Sequence, residues 1–196
     1  MYRKWGKRAF DMAFAFFALA FVTPLLAIIS LLVLVSSPGP VLFTQERLGR
    51  HGRIFRAFKF RTMTHRLRIP AGEVWKNDPE VTRLGYYLRR FKLDELPQLF
   101  NVLKGEMSIV GPRPALPSQL KEYDENSRQR LLVRPGLSGL AQVNGNVYLS
   151  WPERWVYDAE YARSVSFRLD LRIMCRTVAV IIRGEDHYTH LPKLTT

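Results

Sequence analysis

Residues 12–35 read MAFAFFALAFVTPLLAIISLLVLV, and no charged residue occurs between Asp11 and Glu46. About 20 apolar residues are enough to cross the hydrocarbon core of a bilayer. Pro24 lies in the middle of the run. It has no N–H and its ring clashes with the preceding turn, so the sequence predicts a kink or break there. Each half is then about 16 Å long, which is too short to cross a membrane alone.

Basic residues flank the apolar run on both sides. Residues 1–70 carry 12 Lys and Arg against 2 Asp and Glu, so most of the net charge of +13 lies there. The positive-inside rule places both flanks on the cytoplasmic face, so the segment is expected to enter the membrane and turn back. The hydroxyl of Thr23 can bond a carbonyl that Pro24 leaves free. A spanning helix with a tolerated proline is the alternative.

Composition narrows the remaining classes of protein. The chain has 196 residues, which suits one domain, and its single cysteine, Cys175, rules out an internal disulfide. Cys175 is expected to be a small buried hydrophobe. A secretory signal peptide is disfavoured because its apolar region usually has about 7–15 residues. A nucleic-acid partner would explain the basic patch but not the apolar run, whereas a surface of anionic lipid explains both.

Hydrophobic periodicity and turn residues predict the elements that follow. The predictions are strands at 41–44 and 54–60 around a turn at 49–52, a loop at 63–80, an amphipathic helix at 81–91, a helix from about residue 94 to Gly105, an exposed charged helix at 119–132, a helix from Trp151 capped by Ser150, and a last helix at about 168–183.

The helix that is expected to start near Asp94 carries the first candidate site. Pro97 fits only the first turn of a helix, and Gly105 fits the position after its end. A carboxylate at this start is favoured in its ionised form by the helix dipole, and the same N–H groups attract phosphate. The alternative interpretation is that Asp94 has no role in catalysis and is only a helix cap.

Two further segments have the character of binding elements. Arg113 stands between Pro112 and Pro114, and a guanidinium held in so stiff a segment loses little entropy on binding a phosphate. The loop from Arg134 to Gly145 is rich in glycine and can admit a ligand close to the backbone. The sequence has no P-loop, dinucleotide fingerprint or Gly-x-Ser-x-Gly motif.

The chain resembles the bacterial sugar transferases, the monotopic phosphoglycosyl transferases that start membrane glycan assembly. It looks most similar to the small members, which consist of little beyond the catalytic core. The matching segments are KRAFD at 7–11, the Pro24-containing apolar run, FTQ at 43–45, FKFRTM at 58–63, LDELPQLFNVLKG at 93–105, MSIVGPRP at 107–114, VRPGLSGLAQVNG at 133–145 and LDLRIM at 169–174. They cover nearly the whole chain in order.

The resemblance implies an α+β, mostly helical, monotopic membrane protein with interfacial amphipathic helices and a small β element. Residues 1–36 would form a re-entrant helix–break–helix, with the break at Thr23 and Pro24. Residues 37–196 would form the catalytic domain, integrated with that helix and facing the cytoplasm from the bacterial inner membrane. Anionic lipids are the expected surroundings, and no nucleic acid is expected as a partner.

The resemblance also implies the reaction. A sugar phosphate would move from a UDP-sugar to polyprenyl (undecaprenyl) phosphate, and UMP would be released. Asp94 would be the nucleophile that forms an acyl-phosphate, and Glu95, with Asp94, would bind the Mg²⁺ that the family requires. A covalent intermediate lets a soluble and a lipid substrate react in turn.

Other positions match the family with less defined roles. Arg89 and Arg113 correspond to phosphate contacts, and Lys59 and Arg61 lie in a matching basic motif. The substrate loop would contribute Arg134, Gly136, Gln142 and Asn144. Two departures put contacts of that loop in doubt, since Asn146 stands where arginine is common and Leu140 where tryptophan is common. A non-enzymatic membrane anchor that recruits partners through its basic face is the alternative function.

Overall fold

The computed structural model describes residues 2–64 and 80–184, apart from the side chain of Lys4, so most of the predicted 63–80 loop lies outside the described residues. The helices are α1 Lys7–Ser36, α2 Arg83–Arg90, α3 Gln98–Lys104, α4 Glu125–Arg128, α5 Leu140–Val143, α6 Trp151–Ser164 and α7 Phe167–Arg183. The strands are β1 Leu42–Leu48, β2 Ile54–Phe60, β3 Ser108–Val110 and β4 Gly136–Ser138. The prediction of a mostly helical fold with a small β element is confirmed.

Helix α1 runs for 30 residues, and every residue from Lys7 to Ser36 is helical, Pro24 included. By length and composition it is long and apolar enough to cross a membrane. The predicted break at Pro24 therefore does not interrupt the helix. The Thr23 hydroxyl donates to the Leu19 carbonyl at 2.6 Å, whereas the carbonyl that Pro24 leaves free belongs to Ala20. The re-entrant path stays a prediction.

One side of α1 is part of the protein core. Ala15 and Leu19 pack in the main apolar cluster, and Ile29 and Val33 pack in a second cluster with Phe60. Most of the helix's other large apolar side chains are exposed, as a lipid-facing surface requires.

Polar contacts fix both ends of α1 to the rest of the chain. Buried Asp11 accepts hydrogen bonds from the Ser108 hydroxyl at 2.9 Å and from the Ile109 N–H at 3.0 Å. Lys7 pairs with buried Asp170 of α7 at 2.7 Å. At the other end, the Arg61 guanidinium donates to the carbonyl of Val33, in the last turn of the helix, and to that of Ser37, just after it.

The predicted hairpin is confirmed, with β1 and β2 antiparallel and Phe43 opposite Lys59. The side chain of Asn101, on α3, bonds the edge of β2 as a neighbouring strand would. It accepts from the Phe58 N–H at 3.1 Å and donates to the Arg56 carbonyl at 2.8 Å. This pair of bonds sets the position of Lys59, the next residue along β2, relative to the start of α3.

Glycines of the predicted substrate loop are required by contacts within the chain. Strands β3 and β4 pair in parallel, and a Cβ at Gly136 would lie 2.1 Å from the Gly111 nitrogen. A Cβ at Gly139 would lie 2.1 Å from the Gly111 carbonyl oxygen. The close backbone neighbour of these glycines is therefore the Gly-Pro-Arg-Pro segment, whereas the sequence suggested a ligand.

Of four other predictions, two differ from the structure and two agree with it. Residues 119–132 do not form one helix but a 3-10 helix, a single turn of α-helix and a second 3-10 helix, and Arg130 is buried there. Cys175 is exposed on α7, so its predicted burial was wrong. Helix α6 has the predicted Ser150 cap, and the last helix ends at Gly184 as expected.

Candidate active site

Asp94 and Glu95 lie in a 3-10 turn, Leu93–Glu95, that joins α2 to α3. Helix α3 begins only at Gln98, after Pro97, so Asp94 is not the cap of that helix. Lys92 before the turn has left-handed backbone, with φ at 57°, which turns the chain sharply from α2 into the acidic pair. The site is therefore a tight turn between helices.

The Asp94 side chain is buried and incompletely bonded. Only 7% of the residue is exposed, and its Oδ1 has no hydrogen-bond partner among the described residues. Burial raises the pKa of Asp94, Glu95 raises it further, and Lys59 and Lys92 lower it in part. A buried oxygen of this kind costs free energy unless a proton, a cation or a substrate meets it.

Glu95 has the opposite electrostatic character because two cations hold it. Its Oε1 lies 2.6 Å from Lys59 Nζ and 3.2 Å from Arg113 Nη2. Burial alone raises the pKa of Glu95, but Lys59 and Arg113 outweigh that effect and hold it well below its usual range. Burial lowers the pKa of Lys59, and the attraction to Glu95 opposes this change. Glu95 is therefore ionised while Asp94, beside it, binds protons more readily.

Arg89 reaches the same turn from α2. Its Nε donates to the Thr62 hydroxyl at 2.9 Å, and its charge lowers the pKa of Asp94. The structure thus brings together five predicted residues, namely Lys59, Arg89, Asp94, Glu95 and Arg113. Sequence reasoning missed Lys92, whose charge acts on both carboxylates. Its position directly before the acidic pair was the available signal.

Arg61 has a different environment from the one predicted. It is buried, and its guanidinium donates to the carbonyls of Val33, Ser37 and Pro40. These bonds close the C-terminal end of α1 and occupy the side chain. The contacts favour a structural role over phosphate binding for Arg61.

The residues of the predicted substrate loop belong to other elements than the acidic turn. Arg134 donates to the Gly105 carbonyl at 2.8 Å, just past the far end of α3 from Asp94. Gly136 is in β4, and buried Asn144 follows the end of α5. Both amide atoms of Gln142 are buried without a hydrogen-bond partner among the described residues, so its side chain has unused bonding capacity.

The acidic turn has the ligand chemistry that Mg²⁺ needs. Within residues 2–64 and 80–184 no group of three or more His, Cys, Asp or Glu side chains can hold a metal ion. Mg²⁺ is commonly bound by only one or two carboxylates, with waters and substrate phosphates as its other ligands. The unbonded Oδ1 of Asp94 and the ionised carboxylate of Glu95 fit that pattern.

Comparison with known proteins adds a second line of observation. The family model described as bacterial sugar transferase matches residues 2–184. The exopolysaccharide production protein ExoY of Rhizobium meliloti is 38% identical over 199 residues, which cover 93% of this chain and 88% of that protein.

Two longer relatives carry more specific names. The undecaprenyl-phosphate glucose phosphotransferase of Komagataeibacter xylinus is 43% identical over 88% of this chain and 35% of its own length. The UDP-glucose:undecaprenyl-phosphate glucose-1-phosphate transferase of Xanthomonas campestris pv. campestris is 42% identical over 91% of this chain and 39% of its own. This chain therefore matches less than half of each of these two proteins.

Proposed function

Because this chain belongs to the bacterial sugar transferase family, we propose that it moves a sugar 1-phosphate from a UDP-sugar to a membrane polyprenyl phosphate and releases UMP. The relatives named for undecaprenyl phosphate and UDP-glucose support the two substrates. The relative named for exopolysaccharide production supports a place at the membrane stage of glycan assembly.

The observation that carries the proposal is the contrast between two adjacent carboxylates. Asp94 has a buried oxygen without a partner in the described chain, and Glu95 is kept in its anionic form by Lys59 and Arg113. A nucleophile needs an available oxygen, whereas a group that organises cations needs a stable negative charge. Asp94 meets the first requirement and Glu95 the second.

The proposed reaction has two displacements at one phosphorus atom. In the first, an Asp94 oxygen bonds the phosphorus that carries the sugar, the bond to the UMP oxygen breaks, and UMP leaves with the electron pair. In the second, a polyprenyl phosphate oxygen bonds that phosphorus and the Asp94 carboxylate leaves. Lys59, Arg89 and Arg113 provide positive charge beside the transferred phosphoryl group, where such charge lowers the barrier most.

Mg²⁺ belongs to this proposal as a resident cofactor. Glu95, with Asp94, would hold it, and it would supply charge neutralisation for the diphosphate and the departing phosphate. The chain's own contribution is to keep Glu95 ionised, through Lys59 and Arg113, and to keep Asp94 shielded from water.

The location of the site follows from its substrates. One substrate is soluble and the other is held in lipid, so the acidic turn should lie at the cytoplasmic face of the bacterial inner membrane. Two features support this placement. Helix α1 exposes a large apolar surface, and Tyr86, Tyr87 and Phe91, at or next to α2, are exposed close to the site. Tyrosine and other amphipathic side chains favour the membrane–water interface.

The test is a single-turnover experiment without the acceptor. Purified protein with UDP-glucose or another UDP-sugar and Mg²⁺, but without polyprenyl phosphate, should release at most one UMP per enzyme in a burst. Mass spectrometry should find the mass of one sugar phosphate on the protein, on the peptide that contains Asp94. Asp94→Asn should give neither burst nor adduct while it still enters the membrane.

Two results would contradict the proposal. An active enzyme that forms no adduct would indicate direct displacement with both substrates bound together. A fully active Asp94→Asn variant would remove Asp94 from the reaction. The alternative of a non-enzymatic membrane scaffold gains support only if the wild-type protein releases no UMP from any UDP-sugar, with polyprenyl phosphate and Mg²⁺ present.

A further inference from the structure

Four consecutive carbonyls, of residues 112–115, accept hydrogen bonds from three parts of the chain. The Pro112 carbonyl accepts from the Gly136 N–H at 2.8 Å, and the Ala115 carbonyl accepts from the Leu48 N–H at 2.9 Å. The two carbonyls between them accept from buried or partly buried arginines: that of Arg113 from Arg130 at 2.7 Å, and that of Pro114 from Arg47 at 3.0 Å.

Arg130 connects this segment to α6. Its guanidinium is buried, with 4% of the residue exposed, and Nη2 lies 2.8 Å from Oδ2 of similarly buried Asp158. Nη2 has two N–H groups, so one can bond Asp158 while the other bonds the Arg113 carbonyl. Nη1 donates to the Tyr123 hydroxyl. The fork of the guanidinium therefore joins three elements at one point.

A buried ion pair of this kind is expensive to desolvate and gives little net stability. The pair is bonded to the carbonyl of Arg113, which suggests a role other than stabilising the fold. The Arg113 side chain is 35% exposed, and it reaches Glu95 Oε1 across 3.2 Å. Since the side chain is long and partly solvated, the position of its backbone decides how much time the guanidinium spends in the site.

We propose that Arg130 and Asp158 are positioning residues, which hold the backbone of Arg113 so that its guanidinium stays beside the acidic turn. Neither residue would touch substrate, and both would act through Arg113. The proposal rests on the proposed function in one respect, since Arg113 is taken to contact a phosphate of the donor. The geometry itself, from Asp158 through Arg130 to the Arg113 carbonyl, does not depend on that function.

The test is a double-mutant cycle on kcat/KM for the UDP-sugar. Arg130→Lys keeps the charge opposite Asp158 but cannot reach the Arg113 carbonyl and the Tyr123 hydroxyl together. It should lower kcat/KM by about tenfold in the wild-type background and by less than about twofold in an Arg113→Ala background. If Arg130→Lys does not accumulate, Asp158→Asn provides the same cycle.

Tyr123→Phe is the matched control, because it removes another bond of the same guanidinium without touching the Arg113 carbonyl. It should lower the thermal unfolding midpoint and leave kcat/KM within about twofold. A purely structural role of the pair predicts equal losses in both backgrounds of the cycle. That result would overturn the positioning proposal.

A second cycle needs no turnover and separates this proposal from the proposed function. Arg113→Ala and Glu95→Gln should show coupled effects on the unfolding midpoint, since their side chains are in contact. The coupling should shrink in the Arg130→Lys background, and an unchanged coupling would contradict positioning. A wild-type protein that releases no UMP but shows this loss of coupling would overturn the function alone.

Discussion

Lys59 Nζ lies 2.6 Å from Glu95 Oε1, and each group is mostly buried, with 22% and 13% of the side chain exposed. The pair joins strand β2 to the acidic turn. Removing Lys59 takes away the nearer of the two cations that hold the buried charge of Glu95, and breaking a buried pair costs more than the pair itself contributes. The two residues therefore act as one unit, and variants of either should report on the same site.

Lys59→Met should accordingly impair the reaction strongly. The loss of one charge-assisted contact corresponds to about 1.5–3 kcal/mol, or about 10- to 150-fold in kcat/KM. Lys104→Met is the control, because Lys104 is an exposed residue at the far end of α3 that lies over the Phe58 ring. UMP release should separate the two variants. Equal activity of Lys59→Met and wild type would assign the pair to folding alone.

Arg113→Lys tests whether the planar fork matters at the site. Lysine keeps the charge, but all its N–H donors are on one nitrogen. It therefore cannot bond Glu95 and a phosphate in the geometry of the planar guanidinium. We expect a loss of about 1.5–3 kcal/mol in transition-state stabilisation. Steady-state kinetics with a UDP-sugar measures it. Unchanged turnover of the lysine variant would indicate that only charge is needed there.

Asp158 predicts a pH dependence of stability. Burial raises its pKa to about 6, although Arg130 opposes this effect. A carboxyl group that holds its proton more tightly in the folded state stabilises the fold at low pH, and this contribution is lost as the pH rises from about 4 to about 6. Relative to Asp158→Asn, the wild-type free energy of unfolding should therefore fall by up to about 3 kcal/mol across that window.

Denaturant unfolding in detergent at several pH values measures this difference. Asp124→Asn is a control of opposite sign, since hydrogen bonds from Ser127 lower the pKa of the Asp124 carboxyl. Relative to Asp124→Asn, the wild-type protein should gain stability as the pH rises through the acidic range. A pH-independent difference between wild type and Asp158→Asn would show that the ion pair with Arg130 cancels the effect of burial on the pKa of Asp158.

The membrane path of α1 can be read by cysteine labelling. In a Cys175→Ser background, single cysteines at exposed Arg3 and Arg53 should both be protected from an impermeant reagent outside intact cells. Both should react after the cells are permeabilised. Labelling at position 3 alone in intact cells would show a spanning helix. Pro24→Ala should shift the protein toward that result, because it restores the missing helical hydrogen bond.

The sequence predicted those features that depend on local pattern. The hairpin, α2, the Ser150 cap of α6 and the end of α7 at Gly184 all follow from alternation, apolar stripes and capping residues. The acidic pair and its basic partners were found through family motifs. Motifs of this kind identify which residues meet but not the hydrogen bonds that bring them together.

Features that depend on tertiary contacts could not be predicted from the sequence. Arg61 and Arg113 both lie in segments that match family motifs. Arg61, however, bonds a carbonyl in the last turn of α1, whereas Arg113 contacts Glu95. The 119–132 segment has good helix formers, but extended backbone at Tyr123 and Asp124 divides it, and Asp124 caps the helical turn that follows. Cys175 lies on the exposed side of an amphipathic helix, and composition alone could not distinguish its two sides.

The buried side of α1 makes the anchor inseparable from the enzyme. A truncated chain that begins after residue 36 would lose Asp11, which accepts hydrogen bonds from Ser108 and Ile109. It would also lose Ala15 and Val33 from the two apolar clusters in which they pack. Exchange for an unrelated membrane helix would do the same damage. Detergent or nanodisc extraction of the full chain is therefore the practical route to active protein, and solubilising truncations should yield aggregates.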